Sequence, residues 1–272
     1  MMDGLIQNQQ PTAGKVNLSR AIFTACILLT LCPMKQWQST IKSISESLWG
    51  DVVGVGLVIG ASLAMGYHTT VINGWPIGWM STIGVAVSMM ATRFVTRRNN
   101  TGNMIGLVAT VNSAMVDYYL GNKGALLTYP ITFITNAVST YYWSQKKDRV
   151  PRPVDAIYYG NILLALVLAL GLNYVGYTDF LSSAIQPEDL KMYWVTTAIT
   201  TLTFSGSFNK PRMYADSWLF WEVYNGLKLY QNSLFGNVAY VAKYIFYFVN
   251  AALAWITWHA VRKDNEHKPH GL

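Results

Sequence analysis

Eight apolar segments, divided by loops that alternate between basic and nearly uncharged, constrain this chain more than any other feature. They are 51–72, 77–95, 103–120, 124–143, 156–176, 192–208, 216–232 and 236–259. About 17–20 apolar residues in a helix cover the ~30 Å hydrocarbon core of a bilayer. Backbone groups in hydrocarbon must be satisfied within the segment, so each segment is expected to be a helix. Every second loop is basic: Arg93, Arg97 and Arg98; Lys146, Lys147, Arg149 and Arg152; Lys210 and Arg212; Arg262 and Lys263. The loops between them carry almost nothing (73–76 and 233–235), the single Lys123, or Asp179, Glu188 and Asp189 against Lys191. The positive-inside bias puts the basic ends in the cytoplasm. Eight spans then place both termini there, in a multi-pass protein of the plasma membrane.

Composition agrees. Charged residues make up 12% of the chain, against about 25% in soluble domains. The net charge of +7 sits mostly in loops and tails, and no loop joins a long basic stripe to a nucleic-acid-binding fold, which excludes such a partner. Cys26 and Cys32 have no second pair to complete a zinc site and are expected to be free or buried thiols. No metal or cofactor is implied. Residues 1–17 are polar and expected to be disordered. The apolar piece 21–32 is too short to cross, and Trp37, Ile41, Ile44 and Leu48 recur at helical spacing, so 18–49 reads as amphipathic helix in the interface. A signal peptide would need a small-residue cleavage site, which is not seen. Residues 1–50 thus form the polar start and interfacial helices, 51–72 an extra transmembrane helix, and 260–272 a cytoplasmic tail.

The chain also repeats itself. Gly121, Asn122, Tyr129, Phe133, Ala137 and Trp143 recur as Gly236, Asn237, Tyr244, Phe248, Ala252 and Trp258, at a constant offset of 115 residues. Both copies have the same expected orientation. Two three-helix units, 77–143 and 192–259, joined by one linker helix at 156–176, give that result directly. The expected fold is therefore an all-α polytopic membrane protein: two parallel three-helix bundles in a 3+1+3 plan, plus the extra N-terminal helices. In carriers built from repeats, the substrate site lies near the midplane, where the repeats meet.

Charged and amide side chains inside apolar helices point to that site. At a bilayer centre a charge costs roughly 2.5–3.5 kcal/mol on insertion scales, yet the run from Trp218 to Trp258 keeps Glu222, Asn225, Lys228 and Lys243 among many aromatics. Aromatic faces with a few amides suit a small, flat, polar ligand. Trp221 and Asn225 are four apart and share a helix face. An indole stacks on a pyridine-type ring, more strongly on a cationic one, and an amide offers both a donor and an acceptor. Trp218 is either a site residue or an interfacial anchor. Glu222 either balances a cationic ring or pairs with Lys243. Lys228, one turn from the outer end, is expected to snorkel to the headgroups. In the first repeat Tyr129 and Asn136 are two turns apart on one face, and Pro130 frees a carbonyl that allows a kink. Asn112 and Asp117 are expected to be structural, and His68 a packing residue.

The ordered set of Trp218, Leu219, Phe220, Trp221, Asn225, Gly236, Tyr244 and Trp258 resembles the PnuC family of vitamin-precursor transporters. The first half agrees through Trp75, Pro76, Asn103, Gly106, Leu107, Gly121, Asn136 and Trp143. The resemblance covers roughly 75–259 and leaves 1–72 outside a seven-helix core. It implies a SWEET-like fold, commonly a homotrimer. It also implies facilitated diffusion of an unphosphorylated vitamin precursor, most often nicotinamide riboside, which a cytoplasmic kinase traps by phosphorylation. Thiamine and deoxynucleosides are the alternative substrates. Three positions depart from the nicotinamide riboside pattern: Tyr129 where Gln is expected, Lys243 where an acid is common, and Glu222 where an apolar residue is usual.

The substrate-binding residues expected on these grounds are Trp221, Asn225, Tyr129, Asn136, Tyr244, Trp218 and Glu222. No catalytic residues are expected, since the helices hold no Gly-x-Ser-x-Gly, no His-Glu-x-x-His and no paired aspartates. A channel or scaffold is the rival class, and saturable, competed uptake separates a carrier from both.

Overall fold

The chain divides into two units, residues 1–41 and 42–272, and the second is described here. The structure, a computed structural model, describes residues 47–146 and 149–266, together with positions 40 and 43. The disorder expected over 1–17, most of the interfacial helix expected over 18–49, and residues 267–272 of the tail lie outside the described residues.

Among the described residues these α-helices follow one another: α1 (Leu48–Ala64), α2 (Ile77–Thr96), α3 (Thr101–Tyr119), α4 (Ala125–Ser144), α5 (Ala156–Tyr177), α6 (Leu190–Asn209), α7 (Ser217–Leu234) and α8 (Val238–Glu266). Local chemistry sets several of their ends. Ser47 Oγ accepts from the Trp49 N–H at 3.1 Å and caps α1. The α1 helix stops well short of residue 72, because Gly66 turns left-handed (φ +67°) and starts a 3-10 turn at Tyr67–Thr69. His68 therefore sits in that turn rather than in an apolar helix. Its imidazole Nδ1 lies 3.4 Å from the Ser62 carbonyl and its ring meets Trp79 edge-on. Asp155 caps α5 by accepting from the Tyr158 N–H at 3.0 Å. The α4 helix runs unbroken through Pro130.

The sequence repeat is also a repeat of local geometry. The α3 and α7 helices both end on a left-handed glycine, Gly121 (φ +97°) and Gly236 (φ +65°). The next amide folds back five residues in each copy, Asn122 N–H to Asp117 C=O at 2.9 Å and Asn237 N–H to Asn232 C=O at 3.0 Å. This closure satisfies a last-turn carbonyl and needs a residue without a Cβ at the turn.

Packing runs in sequence, α2 on α3 on α4 and α6 on α7 on α8, and also crosses over, α2 on α8 and α4 on α6. The α5 helix lies mainly on α6, and α1 lies on α2 and α8. Polarity is inside out. Large apolar side chains such as Leu57, Val108, Leu163, Val167, Val223 and Val249 face outward, while Thr82, Asn103, Asn136, Thr196, Asn225 and Gln231 are buried. In a bilayer the lipid-facing surface must be apolar, and polar groups are tolerated where protein or a cavity receives them. By length and composition alone, two of the described helices, Ala156–Tyr177 and Val238–Asn265, are apolar enough to cross a membrane. The α1 helix is apolar but shorter, at 17 residues, and helices such as α2, α4 and α6 dilute their apolar content with Ser, Thr and Asn that the fold turns inward.

A buried ion-pair cluster fastens α1. Asp51 accepts from Arg93 Nε at 2.5 Å and from Arg97 Nη2 at 2.6 Å. Arg93 also donates to Asn250 Oδ1 at 3.0 Å and to the Ser47 carbonyl at 2.9 Å. One carboxylate thus joins α1, α2 and α8.

Candidate substrate site

A cavity of about 200 Å³ lies among α2, α3, α4, α6, α7 and α8. Neither α1 nor α5 contributes a lining residue. Its wall includes polar residues from α2, α3, α4 and α6, among them Thr92, Ser113, Thr132, Thr200 and Ser207.

Of the residues expected from sequence, Trp221, Asn225, Tyr129, Asn136, Tyr244 and Trp218 all line this cavity, and Glu222 does not. The spacing of Trp221 and Asn225 turns both inward on α7, and Glu222, about 100° further round, turns away. One carboxylate oxygen of Glu222 is buried without a hydrogen-bond partner.

Trp221 fits because Gly206 on α6 leaves room for it. A Cβ at Gly206 would stand 2.7 Å from Trp221 Cε2, closer than van der Waals contact allows. The indole meets Tyr224 edge-on at 5.3 Å, and Tyr224 meets Tyr244 in the same way at 5.8 Å. Asn225 is buried, and its Oδ1 has no partner. Trp218 is also buried, with its Nε1–H unpartnered and its ring edge-on to Trp258. Its burial in the protein core argues against the interfacial-anchor alternative.

Two polar networks cross the cavity. In one, Asn136 Nδ2 donates to Thr110 Oγ1 at 2.9 Å while Lys210 Nζ donates to Asn136 Oδ1 at 2.5 Å. Lys210 lies just past the C-terminal end of α6. Burial pushes its ammonium down to about 8. In the other, Asp117 Oδ2 accepts from Lys228 Nζ at 2.5 Å and from the Tyr129 hydroxyl at 2.6 Å. Lys228 further donates to Gln231 Oε1 at 2.9 Å.

This second network corrects one expectation. Lys228 does not snorkel outward; it is buried on an acid from α3. Asp117 holds a structural ion pair, as expected, and does so in the cavity wall. A second correction concerns Lys243, which makes no pair with Glu222. Its ammonium lies over the rings of Tyr240, Tyr244 and Tyr247, at 4.5, 5.0 and 5.3 Å from their centroids. Sequence reasoning also missed Lys210 as a cavity residue, having counted it as loop charge. Its position directly after a span whose inner face is rich in Thr and Ser was the available signal. Asn112 is structural as expected, donating to the Met80 carbonyl at 3.1 Å.

The cavity can stack a flat ring on Trp221 or Tyr244 and hydrogen-bond its substituents through Asn225 and Asn136.

The comparisons with known proteins agree with this geometry. The family model described as nicotinamide mononucleotide transporter matches residues 78–260, a range that takes in every helix lining the cavity and leaves out α1. No curated protein matches the chain. A solved structure, the crystal structure of the vitamin B3 transporter PnuC, is similar with a TM-score of 0.61 at 13% identity, covering 80% of this chain and 93% of that one. At that identity the likeness speaks for the fold. With the inside-out polarity and the six-helix cavity, these matches place the chain, an all-helical membrane protein, in the nicotinamide mononucleotide transporter family.

Proposed function

We propose that this protein carries a vitamin B3 precursor of the riboside type, with nicotinamide riboside as its reference substrate, by facilitated diffusion. The observation that carries this reading is the cavity between α2–α4 and α6–α8, where Trp221 offers a stacking face beside Asn225 and, across the cavity, Asn136. On this reading the helices form a 3+1+3 carrier, with α1 as an addition and α5 as the linker. The basic loop ends and both termini lie in the cytoplasm, the solute enters from the opposite face, and the two triple-helix units rock to release it inside. A homotrimer and trapping by a cytoplasmic kinase complete the proposal, since a uniporter accumulates nothing without a step that consumes its product. The paired Asp117 and Lys228 need no coupling ion to be neutral together, which favours uniport.

Proteoliposomes holding only this protein test the reading. Saturable uptake of labelled nicotinamide riboside, competed by the unlabelled compound and unchanged by a proton ionophore, is the expected result. Loss of uptake with the ionophore would replace uniport by proton coupling. Silence with the riboside but uptake of thiamine or a deoxynucleoside would move the substrate. Non-saturable flux would indicate a channel, and no flux with any solute a scaffold.

A further inference from the structure

On the proposed 3+1+3 plan, α2 and α8 belong to different units, and side chains join them along the half of α2 that ends in Arg93 and Arg97. The Tyr247 hydroxyl donates to the Ser88 carbonyl at 2.5 Å and accepts from Thr92 Oγ1 at 2.9 Å. Asn250 Nδ2 donates to Thr96 Oγ1 at 3.1 Å, and Asn250 Oδ1 accepts from Arg93 Nη1 at 3.0 Å. Ser88, Thr92, Tyr247 and Asn250 all line the cavity. Units that rock to release a solute at this end must part this seam.

One member of the seam is set from outside it. Arg93 is buried, and its planar guanidinium has fixed N–H directions once two of its nitrogens are held. Both holds come from α1 and its cap: Nε donates to Asp51 at 2.5 Å, and Nη2 donates to the Ser47 carbonyl at 2.9 Å. The third nitrogen, Nη1, then points to Asn250. Asp51 also supplies the counter-charge, since Ser47 and Asn250 offer Arg93 only neutral oxygens. Removing the acid from a buried pair strands the cation, which relieves its burial by turning out of the seam toward the headgroups. Asp51 itself does not line the cavity, and the matched family range leaves α1 out.

We infer that Asp51 is a positioning residue for transport: acting through Arg93, it holds Asn250 across the α2–α8 seam. The α1 helix thereby sets how readily the end of the cavity beside the basic loops opens. This inference rests on the cavity being an alternating-access pathway and is independent of which solute occupies it.

Accessibility of the cavity wall tests it in the full chain, with Cys26→Ser and Cys32→Ser removing the natural thiols. Ala251→Cys on α8 and Ala91→Cys on α2 each place a reporter thiol on the wall, at positions no more than 6% exposed. A membrane-impermeant maleimide is applied to inverted and to right-side-out vesicles, so each face is read separately. Asp51→Asn should speed labelling of both reporters at least threefold from the face bearing the basic loops, and Asp51→Glu should restore the slow rate. Arg97→Met is the structural control. Its hydrogen bonds go to Asp51 and Ser47, so it loosens α1 without touching the Arg93–Asn250 contact and should leave labelling within twofold. Asn250→Ala breaks that contact from α8 and should reproduce Asp51→Asn, which keeps the test available if Asp51→Asn fails to fold. Unchanged labelling in Asn250→Ala, or an equal rise in Arg97→Met, overturns the inference. A rise in Asn250→Ala with none in a folded Asp51→Asn overturns the role of Asp51. Faster labelling from the opposite face alone supports the latch and overturns the cytoplasmic assignment of the basic ends. The expected labelling pattern in a protein that takes up no nicotinamide riboside upholds this inference while the vitamin B3 reading falls.

Discussion

Trp143 and Trp258, equivalent positions of the two repeats, pack on each other with ring centroids 6.2 Å apart, and each indole reaches the opposite half of the molecule. Trp143 Nε1 donates to the Lys210 carbonyl at 3.1 Å, just after α6, and Trp258 Nε1 donates to the Thr96 carbonyl at 2.9 Å, in the last turn of α2. The α4 helix is thereby fixed to the end of α6, and α8 to the last turn of α2. Both indoles are buried, so each replaces a solvent partner for a helix-end carbonyl. Trp258→Phe should cost about 1–3 kcal/mol by leaving the Thr96 carbonyl unpaired. Trp143→Phe should cost less, because the Lys210 carbonyl also accepts from the Met213 N–H at 3.0 Å. Thermal unfolding in detergent checks the order, and an equal or larger loss in Trp143→Phe would overturn it.

Asp117 and Lys228 form a buried pair between α3 and α7. Removing one partner strands the other, at a cost of about 3–5 kcal/mol. Asp117→Asn and Lys228→Met should each lower the unfolding midpoint strongly, while the double variant should recover most of the loss. Additive losses in the double-mutant cycle would show that the pair contributes no coupling.

Trp221 lines the cavity, and stacking of a base on an aromatic side chain is worth about 1–3 kcal/mol. Trp221→Ala should weaken solute binding by that amount, and Gly206→Ala should weaken it too, by displacing the indole. Titration of both variants checks this. Unchanged affinity in Trp221→Ala would assign the ring to packing alone.

Asp51 is the acid that holds α1 to Arg93 and Arg97. Asp51→Ala leaves the buried Arg93 and the partly buried Arg97 without their carboxylate, so the segment joining α1 to α2 should become cleavable by limited proteolysis while the α2–α8 core stays resistant. Protection equal to that of the unmodified protein would show that apolar contacts suffice to hold α1.

Lys210 provides a pH dependence. Its ammonium is held at about 8 in the folded protein, against about 10.4 for an unperturbed lysine. Between those values the unfolded chain binds the proton and the folded one does not, so stability contributed by this group rises with pH from about 8 to 10.4. The unfolding midpoint of the unmodified protein should therefore rise relative to that of Lys210→Met across this window. Parallel profiles would remove Lys210 as the cause.

The number and order of the helices, their repeat and the inward face of α7 were legible in the sequence because each is a property of one segment. Apolar length sets a span, 3.6-residue periodicity puts Trp221 and Asn225 on one side, and Gly121 and Gly236 mark turns that a side chain would strain. The end of α1 was misjudged, since apolar residues continue past Gly66 while the backbone turns left-handed there. The charge partners were decided only by the tertiary structure. Lys228 pairs with Asp117, Lys243 rests on tyrosines and Glu222 faces away from the cavity. A helical period gives the direction of a side chain around its own axis, but its partner depends on the depth and rotation of a helix remote in sequence. Asp117 and Lys228 are 111 residues apart, and only the assembled bundle, which sets α3 and α7 around one cavity, puts them at one level.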